Sequence, residues 1–224
     1  STCHAQWAPK CIGCHNSFDP NDPMGYDLLD KKFVKGQWIE HVFEFETELP
    51  ALGVRKTPVE RKIEPAIPGM IMTIDHQSFD SSKENTFHRL YAPNSPHTTS
   101  STSRSCISCH ANPVALGYGK GKLSYEIQNG QGKWNFDPIY ALNEEDGLPE
   151  DAWIPFLIES SAKTLSTRTD FKPFSVEEQK TILTVGACLQ CHQPETKEIK
   201  DLLQNGIEKS LINLNERCIL PFKS

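Results

Sequence analysis

The chain has 224 residues, a net charge of -6 and 37% hydrophobic residues, with 16 prolines and 13 glycines. Its interspersed charges exclude the basic stripe that nucleic-acid binding calls for, and no run approaches the roughly 18 apolar residues of a membrane span. The length suits one domain or two small ones; the reading taken here is a single domain over residues 1–224, rich in turns and lean in core-forming side chains.

The chain opens STCHAQWAPKCIGCH, in which Cys11, Cys14 and His15 form a complete Cys-x-x-Cys-His motif. STCH ends the same way, in Cys3 and His4, but lacks the leading cysteine. No secretion signal is legible at the start, as expected of a mature chain or a trimmed fragment. DPNDP at 19–23 is a turn by composition, its acids read as solvated rather than as a calcium site. In HVFEFETEL, His41, Phe43 and Phe45 share one parity and Glu44, Glu46 and Glu48 the other, which predicts a half-buried strand near 38–49 with His41 inward. MIMTIDH predicts a second strand within 67–76, with Met70, Met72, Ile74 and His76 on one side. In NTFHRLYAP, Phe87, Leu90 and Tyr91 flank His88 at helical spacing, which predicts a short amphipathic turn. His97 lies in a Ser/Thr/Pro loop that runs into a second complete motif, Cys106, Cys109 and His110.

GYGKGKLSYEIQNGQGKW has no GxxxxGK[ST] pattern, so its glycines are read as turns rather than a phosphate cradle. Trp134, Phe136, Tyr140, Trp153 and Phe156 are expected to supply aromatic packing. SVEEQKTILTVGACLQCH reads as the clearest helix: Ser175 and Glu178 make a capping box, and Ile182, Leu183, Val185 and Leu189 form its apolar stripe. It delivers a third complete motif, Cys188, Cys191 and His192. A second helix over roughly 195–204 ends at Asn205-Gly206.

Six of the eight cysteines thus form three pairs, each followed at once by a histidine. Cys-x-x-Cys-His is the attachment pattern of haem c: two thiols add across the vinyl groups on one porphyrin edge, and the next residue offers an imidazole to iron. Such a group would also supply apolar bulk that the sequence lacks. Zinc and redox-dithiol readings of a Cys-x-x-Cys pair give no reason for histidine at the same place in every copy. On CIGCH, CISCH and CLQCH the chain resembles the multihaem c-type cytochromes, and RSCISCHANPVALGYG and VGACLQCH are similar to segments of larger members. The resemblance implies covalent haem c, mostly bis-histidine iron, electron transport, and a periplasmic or extracellular location. The expected fold is mostly irregular and α-helical with a few short strands, its core organised around covalently bound haems.

Three haems follow from the motifs, with His15, His110 and His192 as iron ligands; His41, His76, His88 and His97 are candidates for the far side, and Met70 and Met72 are more ordinary core fillers. Two counts close. Eight histidines serve four bis-histidine haems, with Cys3 and His4 as the fourth attachment site. Alternatively, six cysteines serve three haems and Cys3 pairs with Cys218, His4 then being free to act as a distal ligand. Arg89, Arg104, Arg168 or nearby lysines are expected to pair with haem propionates. The leading function is an electron carrier with redox partner proteins; the alternatives are a multihaem redox enzyme with one open iron acting on a small nitrogen or sulfur compound, or a subunit of an extracellular cytochrome filament or other oligomer with haem contacts between subunits.

Overall fold

The computed structural model describes residues 2–67, 70–95, 99–161, 163–212, 214, 215 and 217–222, and the backbone alone at 11, 12, 43–46 and 70. Strand accounts for 35% of the chain and helix for 20%, which corrects the expectation of a mostly helical and irregular fold. Two twelve-residue strands, β1 (Ala8–Asp19) and β4 (Gln37–Glu48), make a long antiparallel ribbon from Ala8 opposite Glu48 to Asp19 opposite Gln37. Between them lies a small hairpin of β2 (Gly25–Asp27) and β3 (Lys32–Val34). β5 (Ala51–Lys56) and β6 (Arg61–Ala66) form the next hairpin. β7 (Met70–Asp75) returns parallel to β1, and β8 (Thr86–Tyr91) runs antiparallel to β7.

The second half begins with two single-turn helices, α1 (Ile107–His110) and α2 (Pro113–Leu116), followed by a hairpin of β9 (Gly121–Gln128) and β10 (Gln131–Pro138). β11 (Thr164–Ser166) joins the first sheet, whose order is β11-β8-β7-β1-β4, and β12 (Phe171–Lys172) completes a three-stranded sheet, β12-β5-β6. α3 (Val176–Cys188), α4 (Lys197–Asn205) and α5 (Ile207–Leu211) close the chain. Among the described residues no helix is long and apolar enough to cross a membrane.

Local chemistry accounts for the extra strands. In β8 burial alternates strictly, with Phe87, Arg89 and Tyr91 inward; in so short a window, spacings of three and four fit a helix too, and period two wins because the sheet supplies partners on both sides. The glycine-rich segment is a hairpin because Asn129 and Gly130 both take positive φ, 52° and 76°, the primed turn whose twist matches antiparallel strands. α3 follows its sequence signals: the Ser175–Glu178 capping box is closed in both directions, and Leu183 is fully buried. α4 likewise stops at Gly206, whose φ is 79°.

The main apolar cluster lies between the β12-β5-β6 sheet, α2, the β9–β10 hairpin and α3. It gathers Tyr91, Tyr118, Trp134, Trp153, Ile154, Phe171 and Leu183, with Phe136 and Phe156 packed against it. The chain therefore owns a conventional core, a second departure from a core organised around haem. Tyr140 serves differently, lying under the Lys10 ammonium at 4.6 Å.

One buried cation ties the two halves together. Arg89 is fully buried; its Nε and one Nη donate to both oxygens of Asp146 at 2.6 and 2.9 Å, and its remaining donors reach the carbonyls of Leu148, Pro149, Glu150 and Ala152. Its donors are consumed by protein, so Arg89 does not serve as the propionate partner expected of it. Replacing Arg89 with leucine leaves Asp146 charged and buried, and should cost roughly 3–5 kcal/mol of unfolding free energy, while the Arg89→Leu/Asp146→Leu double substitution should recover most of the loss. Denaturant midpoints of the three proteins measure this.

Candidate functional site

The second and third motifs adopt the same backbone turn. The amides of Cys109 and His110 donate to the Cys106 carbonyl at 3.2 and 2.9 Å, and those of Cys191 and His192 to the Cys188 carbonyl at 3.1 and 2.9 Å. One helical turn sets residues i and i+3 on a common face. Both cysteine pairs are therefore arranged to reach one edge of a flat ligand, with the histidine next in line. Cys106, Cys109 and Cys188 are half-buried, and Cys191 is exposed.

The first motif is built differently. It lies in β1, where Cys14 pairs with Val42 and Met72, and His15 with His41 and Thr73. An extended chain sends i and i+3 to opposite faces; Gly13, at φ 70°, is the point between the two cysteines where the backbone leaves the β region. Only the backbone of Cys11 is described, opposite Phe45.

All four histidines that follow a motif cysteine turn Nδ1 toward a protein oxygen. His4 Nδ1 lies 2.8 Å from the Ser100 carbonyl, His15 Nδ1 2.8 Å from Thr73 Oγ1, and His110 Nδ1 3.2 Å from the Ile182 carbonyl. His192 Nδ1 faces Glu198 Oε2 at 3.6 Å, an electrostatic contact. A carbonyl only accepts, so His4 and His110 carry the proton on Nδ1 and keep the Nε2 lone pair free. Burial holds the His110 pKa below the ordinary histidine value, only partly offset by the Ile182 bond, which keeps the ring neutral. A neutral ring anchored at one nitrogen with the other free is the state a metal-ligating histidine needs.

The remaining histidines behave otherwise. His76 follows β7 in a short 3-10 turn and spends Nε2 on Thr86 Oγ1 at 2.9 Å, its buried Nδ1 having no partner. His88 sits in a strand rather than the expected helical turn, with its Nδ1 buried and unpartnered. His41 lies in the predicted strand but is exposed rather than inward; its ring lies 6.3 Å from that of His15. Its strand is a sheet edge, so parity alone did not place it against a core. His97 lies outside the described residues. His15 and His88 line one cavity of about 480 Å³, with Thr73, Asp75, Phe87 and Lys163. The sheet thus gathers His15, His41 and His88 in one region, while Met72 pairs with Cys14 on one side and His88 on the other.

Backbone contacts link the other motifs in sequence. The Cys3 carbonyl accepts from Arg104 N at 2.7 Å and the His4 carbonyl from Ser100 N at 3.0 Å, so the opening STCH rests on the loop entering CISCH. Arg104 donates to Pro50 and Ser108 carbonyls, but its buried Nε has no partner. Arg168 is exposed and reaches the Thr167 carbonyl. α3 then docks on the second motif: a Cβ on Gly186 would stand 2.2 Å from the His110 carbonyl oxygen. Trp134 Nε1 donates to Leu183 O at 3.0 Å on the same helix.

A cavity of about 750 Å³ opens at the third motif. Cys188, Cys191 and His192 line it with Tyr125, Ile199 and Cys218. Its volume lies in the range of roughly 300–1,000 Å³ typical of cofactor sites. Cys218 therefore faces the third motif. Cys3 and Cys218 are both free thiols, which sets aside the alternative that pairs them in a bridge.

The residues fit haem at the second and third motifs on three grounds: the shared turn, His110 with Nε2 free, and the cavity beside Cys188. Arg104 Nε adds an unsatisfied donor of the kind a carboxylate would use. Among the described residues no group of three or more His, Cys, Asp or Glu side chains is arranged to hold a bare metal ion; a porphyrin brings its own equatorial nitrogens, so the chain need supply only axial groups. The partners of Nδ1 escaped the sequence reading because they lie 58 to 96 residues away along the chain at Thr73, Ile182 and Ser100. Glu198, in contrast, is only six positions from His192 and carried a local signal. No family model matches the chain, and no curated protein or solved structure matches it.

Gly186→Ala tests the docking of the motifs. In an ordinary helix this change stabilises by about 0.5–1 kcal/mol; here the new methyl meets the His110 carbonyl, so a loss of roughly 1–3 kcal/mol is expected, read as a lower thermal midpoint. A raised midpoint would contradict the contact.

Proposed function

We propose that this chain is an electron-transfer protein of the multihaem c-type cytochrome kind. It would carry haem c at Cys11 and Cys14, at Cys106 and Cys109, and at Cys188 and Cys191, with His15, His110 and His192 as iron ligands. A fourth group would sit at Cys3 and His4. The single observation that carries this reading is the common posture of His4, His15 and His110, each hydrogen-bonded at Nδ1 to a protein oxygen. The haem iron, when bound, supplies one-electron redox chemistry at a potential set by axial ligands, burial and neighbouring hydrogen bonds.

The chain's own residues do the rest. The Ile182 and Ser100 carbonyls hold the His110 and His4 rings and keep their protons on Nδ1. Thr73, whose hydroxyl also lies 3.5 Å from the Cys14 carbonyl, anchors His15. Glu198 faces the Nδ1 side of His192 at 3.6 Å. His88 and His41 are the nearest candidates for a second ligand at the first site. Arg104 is suited to receive a propionate. Covalent attachment of this kind implies a periplasmic or extracellular setting and redox partner proteins, with assembly into oligomers through exposed haem edges a compatible arrangement.

The reading is tested on protein produced in a host that attaches haem c. Reversible reduction and oxidation without cyanide binding is expected of a closed carrier; stoichiometric cyanide binding in the resting protein would favour the open-iron enzyme instead. His110→Met exchanges an imidazole for a thioether and should move one midpoint potential upward, leaving the others nearly unchanged. Unchanged potentials throughout would remove His110 from the ligand set.

A further inference from the structure

The cavity at the third motif differs from the region around His15 in one respect. Among its described lining residues there is one histidine, His192. The described histidines at 4, 15, 41, 76, 88 and 110 do not line it. Protein groups that hold haem iron are imidazole, thiolate, thioether and phenolate. Besides His192 and the two attachment cysteines, the cavity offers two such side chains, Tyr125 and Cys218.

Tyr125 is committed elsewhere. Its hydroxyl donates to the Ile219 carbonyl at 2.7 Å, and burial, then the nearby Cys188 and Cys191, raise its pKa, so it remains a protonated phenol. Lys209 also lines the cavity, but a lysine ammonium gives up its proton less readily than a cysteine thiol, by about two pH units in the free side chains. Cys218 is left, and it is held in place. Its amide donates to the Asn215 carbonyl at 2.8 Å, the next residue is pinned by Tyr125, and Leu220 beyond it is buried. The segment 217–220 thus runs along the cavity wall with the thiol among the lining groups. The Cys188 thiol is pushed up first by burial and next by Cys218, ahead of Cys191, which puts Cys218 within electrostatic reach of the attachment site.

We propose that Cys218 is the second axial ligand, as thiolate, of the haem carried at Cys188 and Cys191, with His192 as the first. The inference rests on the haem reading of that motif. On binding ferric iron the Cys218 S–H bond breaks, its proton passes to solvent, and a sulfur–iron bond forms with no change of oxidation state. An anionic thiolate favours the ferric state, so this site becomes the low-potential one and is closed to small ligands.

The test uses the full chain with haem attached, as wild type and as Cys218→Ser, Cys218→His and Cys188→Ala/Cys191→Ala. Intact mass gives the haem count, electron paramagnetic resonance the ligand class and spin state, and circular dichroism the fold. The expected wild-type spectrum contains one low-spin ferric species with thiolate character. Cys218→Ser should keep the haem count and the fold, abolish that species and turn one haem high-spin; Cys218→His should restore low spin with a higher midpoint potential for that haem. A wild-type spectrum without the thiolate species, or one that Cys218→Ser leaves unchanged at full haem count, overturns the assignment and leaves the haem reading standing. A haem count that the Cys188→Ala/Cys191→Ala protein does not reduce overturns the haem reading at this motif, and the inference with it.

Discussion

The hydrogen bond between His110 Nδ1 and the Ile182 carbonyl is the joint on which the helical half of the molecule depends. It needs α3 close enough for an interior carbonyl to meet a side chain on α1, and that closeness is possible because Gly186 presents no side chain to the His110 backbone. Once α3 is seated there, its C-terminal end fixes Cys188 and the turn that carries His192. Trp134 clamps the same stretch through Leu183. Two motifs separated by 77 residues of other sequence are thereby brought into contact through α3.

The sheet side of the molecule follows a different logic. The β1–β4 ribbon is long and well paired, yet among the described residues neither strand contributes to the main apolar cluster around Trp153 and Phe171. Around His15 the lining is mixed: His88, Asp75, Lys163 and Phe87 share a cavity. A polar-edged cavity beside His15 would suit a large flat ligand that brings its own apolar area. On the helical side the protein supplies the core and the ligand would occupy a defined cavity beside it. The two environments differ in burial and in neighbouring charge, which are the means by which a protein sets different potentials on chemically identical groups.

Local chemistry was legible in the sequence where it is local. The capping box at Ser175, the helix stop at Gly206 and the strand around His41 all rest on residues within a few positions of one another, and all three elements form, although His41 faces outward rather than inward. The fold class was not legible, because β1 pairs with β4 and β7, and β8 with β11, partners far along the chain. β8 is the instructive case. Phe87, Leu90 and Tyr91 satisfy a helical spacing, but the buried Arg89 between them has its counter-charge at Asp146, a residue that no window around His88 contains. The glycine-rich segment reads as turns and does turn at Asn129-Gly130; the two strands that this turn joins are what the composition did not show. For the site, the motif residues were evident from spacing, whereas the oxygens that hold His4, His15 and His110 and the approach of Cys218 to Cys188 arise only from tertiary structure.

The central claim is that the cysteine–histidine motifs hold haem covalently. The most direct test is the intact mass of the denatured, non-reduced protein after production in a haem-attaching host, since thioether-bound haem survives denaturation. The account predicts a mass raised by three haems, or by four if Cys3 also carries one, with Cys218 recovered as a free thiol. A mass equal to that of the bare polypeptide, from a host that loads other c-type proteins normally, would contradict it.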